Sequence, residues 1–298
     1  MTALELMRFA LYADLGILFG APATAALIGD HATLNGARRL FLVGTFAALL
    51  FTVIATLILV AAMTATRIRE IDWPITRALL FGTALGWSLL IRLGAVAAAV
   101  LVSALSRPHP RWLALLCGIA IATLAWSGHA AASEGTIGFF RLANDVVHML
   151  VAALWIGALV LFLSMLTDRR MEPVSVGLVL ARFSSVGSVI IAILMVTGAF
   201  NVLFLSSSPE HWAANLSQLV VYPYGRLLLL KLGLFVTMLV FAATNRFWLV
   251  PWLVQTLERD KAGRAAGWLM ASIATELAVG MTILWIVARL GTLDPGFS

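Results

Sequence analysis

Eight apolar runs, each near or above the ~20 residues needed to cross a hydrocarbon core about 30 Å thick, follow one another with short connections between them. They fall at about 6–28, 39–63, 78–104, 111–131, 140–166, 184–205, 226–249 and 267–290. In lipid every backbone N–H and C=O must be satisfied internally, so runs of this length can only be helices. The expected fold is all-α, a polytopic membrane helical bundle of about eight transmembrane helices, with residues 1–298 forming one integral membrane domain. The first run is too long, with Asp14 too central, for a cleavable signal peptide, and is expected to remain as a spanning helix. Breakers occupy the connections, as in Asp72-Trp73-Pro74, Arg107-Pro108-His109-Pro110 and Ser206-Ser207-Ser208-Pro209.

Charge placement gives an orientation. Eleven Lys and Arg residues lie near the connections after the first, third, fifth and seventh runs, among them Arg38, Arg39, Arg169, Arg170, Arg182 and Lys261; seven, including Arg8, Arg67, Arg141 and Arg226, lie on the other side. The positive-inside rule then puts both termini on the outer side of the membrane, the periplasmic side in the bacterial setting that the resemblance below implies. With the arginines acting as topology signals, the formal charge of +6 does not indicate a nucleic-acid partner. The single Cys117 lies within an apolar run, which excludes a disulfide framework and a thiolate cage. No GxxxxGK[ST] sequence or soluble domain is present for coupling to ATP, and no catalytic constellation is found, so an enzyme is not expected.

Only 11% of residues are charged, so the few at membrane depth stand out. The stretch from Trp126 to Gly157 carries His129, Glu134, Asp145 and His148, and Asp145 and His148 share a helix face at a spacing of three. Ionisable groups in such a setting mark functional sites by default. His129, His148 and His211 fall on the expected outer side, and neutral imidazole is a common ligand for copper, zinc and iron; His31 and His109 are expected to be solvated. Met7 and Met149 lie toward the outer mouth, where thioether sulfur suits Cu(I). Asp14, Arg92 and Glu276 lie deep in the first, third and last runs, and Arg92 is expected to contact one of the two acids.

The residues also carry a resemblance. The run YPYGRLLLLKL at 222–232, Asn245-Arg246-Phe247 and Leu249-Val250-Pro251 resemble the YGRLLLxKL…NR…LVP signature of the CopD family of bacterial copper membrane proteins. Glu276 to Gly280 with Leu290-Gly291-Thr292-Leu293 resembles that family's terminal helix, and Ser127-Gly128-His129 with Asp145, His148, Trp155 and Gly157 resembles its central histidine pair. The resemblance is closest over the core, 111–298, and looser over the helices of 1–110. It implies a multi-pass protein of the bacterial cell inner membrane in copper homeostasis or resistance, taking up a copper ion from the periplasm with a separate periplasmic carrier of the CopC type. It also implies His129 and His148 as metal ligands, with Asp145 binding directly or orienting His148; His211, Met7 and Met149 are further candidates. A b-type haem membrane electron-transfer protein is the alternative, since imidazoles in a bundle also suit haem.

Overall fold

The computed structural model describes residues 2–29, 38–64, 67, 72–105, 109–128, 135–168, 170–203, 220–256 and 259–293. The described chain is helical and contains eight helices long and apolar enough to cross a membrane. In chain order the elements are α1 (Ala3–Ile28), α2 (Arg38–Met63), α3 (Trp73–Gly82), α4 (Ala84–Ala104), α5 (Pro110–Ala122), which tightens into a 3₁₀ turn at Thr123–Ser127, α6 (Gly135–Thr167), α7 (Pro173–Leu203), α8 (Pro223–Thr244), a π-helical segment at Asn245–Leu249, α9 (Val250–Gln255) and α10 (Arg259–Leu290).

Local chemistry sets these limits. Thr2 and Glu5 form a capping box that opens α1, and Gly29 closes it at φ 72°, a left-handed conformation that glycine adopts without strain. Prolines stand in the first turn of α3, α5 and α8, where a missing N–H costs nothing. Several boundaries differ from the sequence expectation: α6 begins at Gly135 rather than 140, α7 at Pro173 rather than 184 and α10 at Arg259 rather than 267, and two further differences have a local cause. The third run does not begin at 78. Thr83 leaves the helix at φ −127° and ψ 152°, and its hydroxyl accepts the Gly86 N–H at 3.0 Å, so α3 ends and the spanning α4 starts anew. The seventh run continues past 249 because Pro251 cannot donate to the carbonyl of Phe247 four residues back. The turn ahead of it widens into the π segment rather than ending the span.

The bundle has two apolar clusters. One joins α1, α2, α4 and α5 around Leu11, Leu15, Val96, Leu113 and Cys117; the other joins α6, α7, α8, α9 and α10 around Leu161, Phe162, Leu253, Leu269 and Ile273. Helices α1 and α6 contribute to both, through Ala21 and Ala25 on one side and Ala153 on the other. Their crossing is very close. A Cβ placed on Gly20 would stand 2.8 Å from the Gly157 Cα, and one on Gly16 would stand 3.8 Å from the Ala153 Cβ. Gly16 and Gly20 therefore form a GxxxG face that receives Ala153 and Gly157, the small-residue contact that lets membrane helices approach backbone to backbone.

At one end, Arg8 ties three elements together by donating to the carbonyls of Gly291 and Ser127, just past α10 and at the end of the 3₁₀ turn. Thr292 adds a bond to Glu5 at 3.3 Å. The start of α1, the end of α5 and the end of α10 thus share one face of the bundle, called here the mouth.

Arg92 does not take the partner expected from the sequence. Its Nε donates to Thr123 Oγ1 at 3.0 Å and its Nη2 to the Thr123 carbonyl at 2.9 Å. The reason is topological: α4 packs along α5 and its 3₁₀ turn, whereas Asp14 faces Gly44 of α2 and Glu276 lies on α10. A carbonyl at the point where α5 tightens is the nearer acceptor.

Because backbone atoms oppose Gly157, a side chain there has nothing to push aside. Gly157→Leu is expected to cost about 3 kcal/mol or more and to lower the melting temperature in detergent markedly. Gly94→Ala, where a Cβ meets nothing within 4 Å, should leave the melting temperature unchanged or slightly raised. Equal behaviour of the two variants would remove the α1–α6 crossing as the pivot of the bundle.

Candidate functional site

His148 stands on the half of α6 nearer the mouth, half-buried and turned toward α7. Its Nδ1 lies 2.8 Å from Thr197 Oγ1, and the Thr197 hydroxyl lies 2.6 Å from the carbonyl of Ile193. A hydroxyl has one proton. With that proton directed to Ile193, the Thr197 oxygen can only accept from His148, which places the imidazole proton on Nδ1 and leaves the lone pair on Nε2. A ring nitrogen fixed in this way is ready for a metal, because the hydrogen bond to the other nitrogen sets both tautomer and ring orientation.

The ring has room. A Cβ on Gly198 would lie 3.7 Å from His148 Cε1, ordinary contact distance, so the ring edge rests over a position without a side chain. One turn toward the mouth, Asn144 Nδ2 donates to the Thr197 carbonyl at 3.1 Å and to Asn201 Oδ1 at 2.6 Å. Asn144 with His148, and Thr197 with Asn201, are each pairs at a spacing of four, so polar stripes on α6 and α7 face one another. Thr197 lies six residues, roughly 9 Å along the axis, from the mouth end of α7.

Around this pair, Asp145 acts electrostatically on Tyr224 and Lys231 of α8, and Lys231 on His148. The cluster thus draws on α6, α7 and α8 together. Seven residues beyond His148, Trp155 Nε1 donates to Glu276 Oε1 at 2.9 Å, and Asn245 Nδ2 donates to Glu276 Oε2 at 2.9 Å.

The remaining candidates divide. His129 and His211 lie outside the described residues, as do Glu134 and His31. Met7 and Met149 pack against the α1–α5 cluster, whereas His148 meets α7. Among the described residues there is no group of three or more His, Cys, Asp or Glu that could hold a metal ion. Sequence reasoning singled out His148 and Asp145, and named Asn245 only within the family signature, but missed Asn144, Thr197 and Asn201. The available signal was a polar pair, Thr197 and Asn201, on one face of an otherwise apolar run.

Known proteins supply the context for this arrangement. Residues 1–139 match the family model for the N-terminal domain of copper resistance protein D-like proteins, and residues 177–290 match that for copper resistance protein D. Copper resistance protein D of Pseudomonas syringae pv. tomato is 34% identical, over 97% of this chain and 96% of that protein. The chain belongs to the copper resistance protein D family. The inner membrane protein YebZ of Escherichia coli K12 is 32% identical over 72% of this chain and 69% of its own length. The copper transport protein CutJ of Bacillus subtilis is 26% identical over 57% of this chain and 28% of its own length. No solved structure matches. Asp145, His148, Trp155 and Gly157 fall between the two family-model matches, so their roles rest on the geometry given above.

Thr197→Val keeps the shape of the side chain and removes the acceptor for His148 Nδ1–H. Nitrogen NMR of labelled histidine should show the single His148 tautomer replaced by a mixture. An unchanged histidine spectrum would refute the tautomer assignment.

Proposed function

We propose that this protein takes up copper ions from the periplasm through the inner membrane, and that His148 Nε2 is a ligand of the ion near the mouth. The observation that carries this reading is the Thr197 hydrogen bond, which commits Nδ1 and leaves the Nε2 lone pair free at a half-buried position. The names of two relatives, a copper resistance protein and a copper transport protein, support copper as the cargo. The name of a third supports the inner membrane.

One imidazole does not hold an ion. In this reading His129, two residues beyond the Ser127 carbonyl that Arg8 fastens to the mouth, supplies the second nitrogen. His211, Met7 and Met149 are the further donors, and a mixed imidazole and thioether set suits Cu(I). Asp145 sits one turn from His148, where its carboxylate either binds the ion directly or lowers the cost of bringing a cation to that depth. The termini lie in the periplasm, consistent with the charge asymmetry of the connections. The mouth then faces the periplasm and is open to a copper carrier of the CopC type.

Two measurements test this. Copper binding to purified protein, read by chelator competition and X-ray absorption, should be lost in the His129→Ala, His148→Ala double variant while the helical circular dichroism spectrum is unchanged; full binding by that variant would sink the site. Reporter fusions after Ser298 and at Arg170 should report opposite sides of the membrane, with the C-terminus outside. A cytoplasmic C-terminus would put the mouth on the wrong side for uptake.

A further inference from the structure

A cavity of about 290 Å³ lies among α6, α7, α8, α9 and α10, far above the roughly 15 Å³ that a single water requires on the same measure. Trp155, Phe162, Phe183 and Ile273 are among its apolar walls. Its polar edge consists of Glu276, Asn245, Arg246, Ser184 and Ser188. Glu276 is 1% exposed and sits roughly 20 Å along α10 from either end of its apolar span, at the middle of that span.

The hydrogen bonding at this edge is unbalanced in an informative way. Each Glu276 oxygen accepts from one neutral donor, Trp155 Nε1 or Asn245 Nδ2. The Arg246 guanidinium is engaged elsewhere, donating to the Ser184 carbonyl and the Ser188 hydroxyl. Asn245 is 9% exposed, and its Oδ1 is buried without a hydrogen-bond partner. A buried acceptor with no donor beside a carboxylate, on the wall of a cavity with room for water, is a place for one more proton. A metal cation suits it less, since a hard cation seeks about six oxygens and Arg246 lines the same space.

We propose that Glu276 is a reversible proton-binding station at mid-membrane depth, exchanging its proton with water in this cavity. On loading, an excess proton from solution, carried as hydronium to a cavity water, passes to the carboxylate, leaving neutral water beside a neutral acid in an apolar surround. On unloading, the proton returns to that water and the anion keeps the Trp155 and Asn245 donors. Arg246, from the π segment, is the charged group that lines the cavity with Glu276. On α8 and α6, Lys231, Asp145 and His148 lie nearer the mouth. On α7 the polar groups at the cavity are Ser184 and Ser188, while Arg182 is exposed, and Asp14 of α1 faces α2. His148 and Trp155 are seven residues apart on α6, about 10 Å along its axis, so a proton leaving Glu276 can compensate the charge of an ion arriving from the mouth. That coupling rests on the copper-uptake reading; the proton site itself does not.

Glu276→Gln is expected to fold. Its amide oxygen accepts from Trp155, and an Asn245 amide turned over offers its free oxygen to the new NH₂. The test uses the full chain in nanodiscs, with infrared difference spectra recorded between acidic and alkaline buffer. Wild type should show a reversible carboxylic-acid C=O band that is lost in Glu276→Gln, retained at a shifted frequency in Glu276→Asp, and unaltered in Asp14→Asn. No reversible band in wild type, or the same band in Glu276→Gln, overturns the proposal. In proteoliposomes carrying a pH dye, Cu(I) addition should drive proton counterflow that Glu276→Gln abolishes. A wild-type protein with the band but no copper-driven proton movement keeps the proton site and refutes the coupling.

Discussion

The contact of α1 with α6 is the constraint on which the rest of the bundle depends. Helices in hydrocarbon are not pressed together by water, so close association rests on van der Waals packing where side chains are small enough to let backbones meet. Gly16, Gly20, Ala153 and Gly157 provide that surface, and the two helices that share it are the ones common to both apolar clusters. Once α6 is held by this face, its other residues have fixed directions. His148 turns to Thr197 on α7 and Trp155 to Glu276 on α10.

Three polar groups within the spans, Arg92, Glu276 and His148, find neutral partners by proximity along packed helices. Arg92 takes the hydroxyl and carbonyl of Thr123, Glu276 takes an indole and an amide, and His148 takes a hydroxyl that is itself bonded to its own helix. Neutral partners of this kind are abundant on helix surfaces and at helix ends. They also leave a charge unneutralised, which is acceptable for a guanidinium bonded to a carbonyl and costly for a carboxylate. That asymmetry makes Glu276, rather than Arg92, the group whose surroundings call for a mobile partner.

The spans were legible because a hydrocarbon core demands long apolar runs, a requirement that composition alone expresses. The break at Thr83 and the π segment before Pro251 were not, since each depends on how one residue satisfies or withholds a single backbone hydrogen bond. His148 could be found as an imidazole in an apolar setting. Its partner could not, because the rotation of α7 about its axis is set by packing, and apolar residues surround that helix almost evenly. The GxxxG face of α1 and its receiving face, Ala153 and Gly157, become evident only when the crossing is seen.

Asn144, His148 and Trp155 recur at spacings of four and seven along α6, and the chemistry changes with depth. Near the mouth the stripe offers amides, then an imidazole with one committed nitrogen and one lone pair, then an indole that can only donate. An ion descending this face meets a single strong nitrogen donor at His148 and none at Trp155, so it cannot be retained beyond His148 by α6 alone. In the reading proposed above, its further ligands near the mouth are His129, His211, Met7, Met149 and Asp145, and at mid-span the carboxylate beside the cavity, Glu276, answers its charge. In that reading binding and charge compensation fall to separate parts of the bundle, linked by α6, the helix that α1 holds in place.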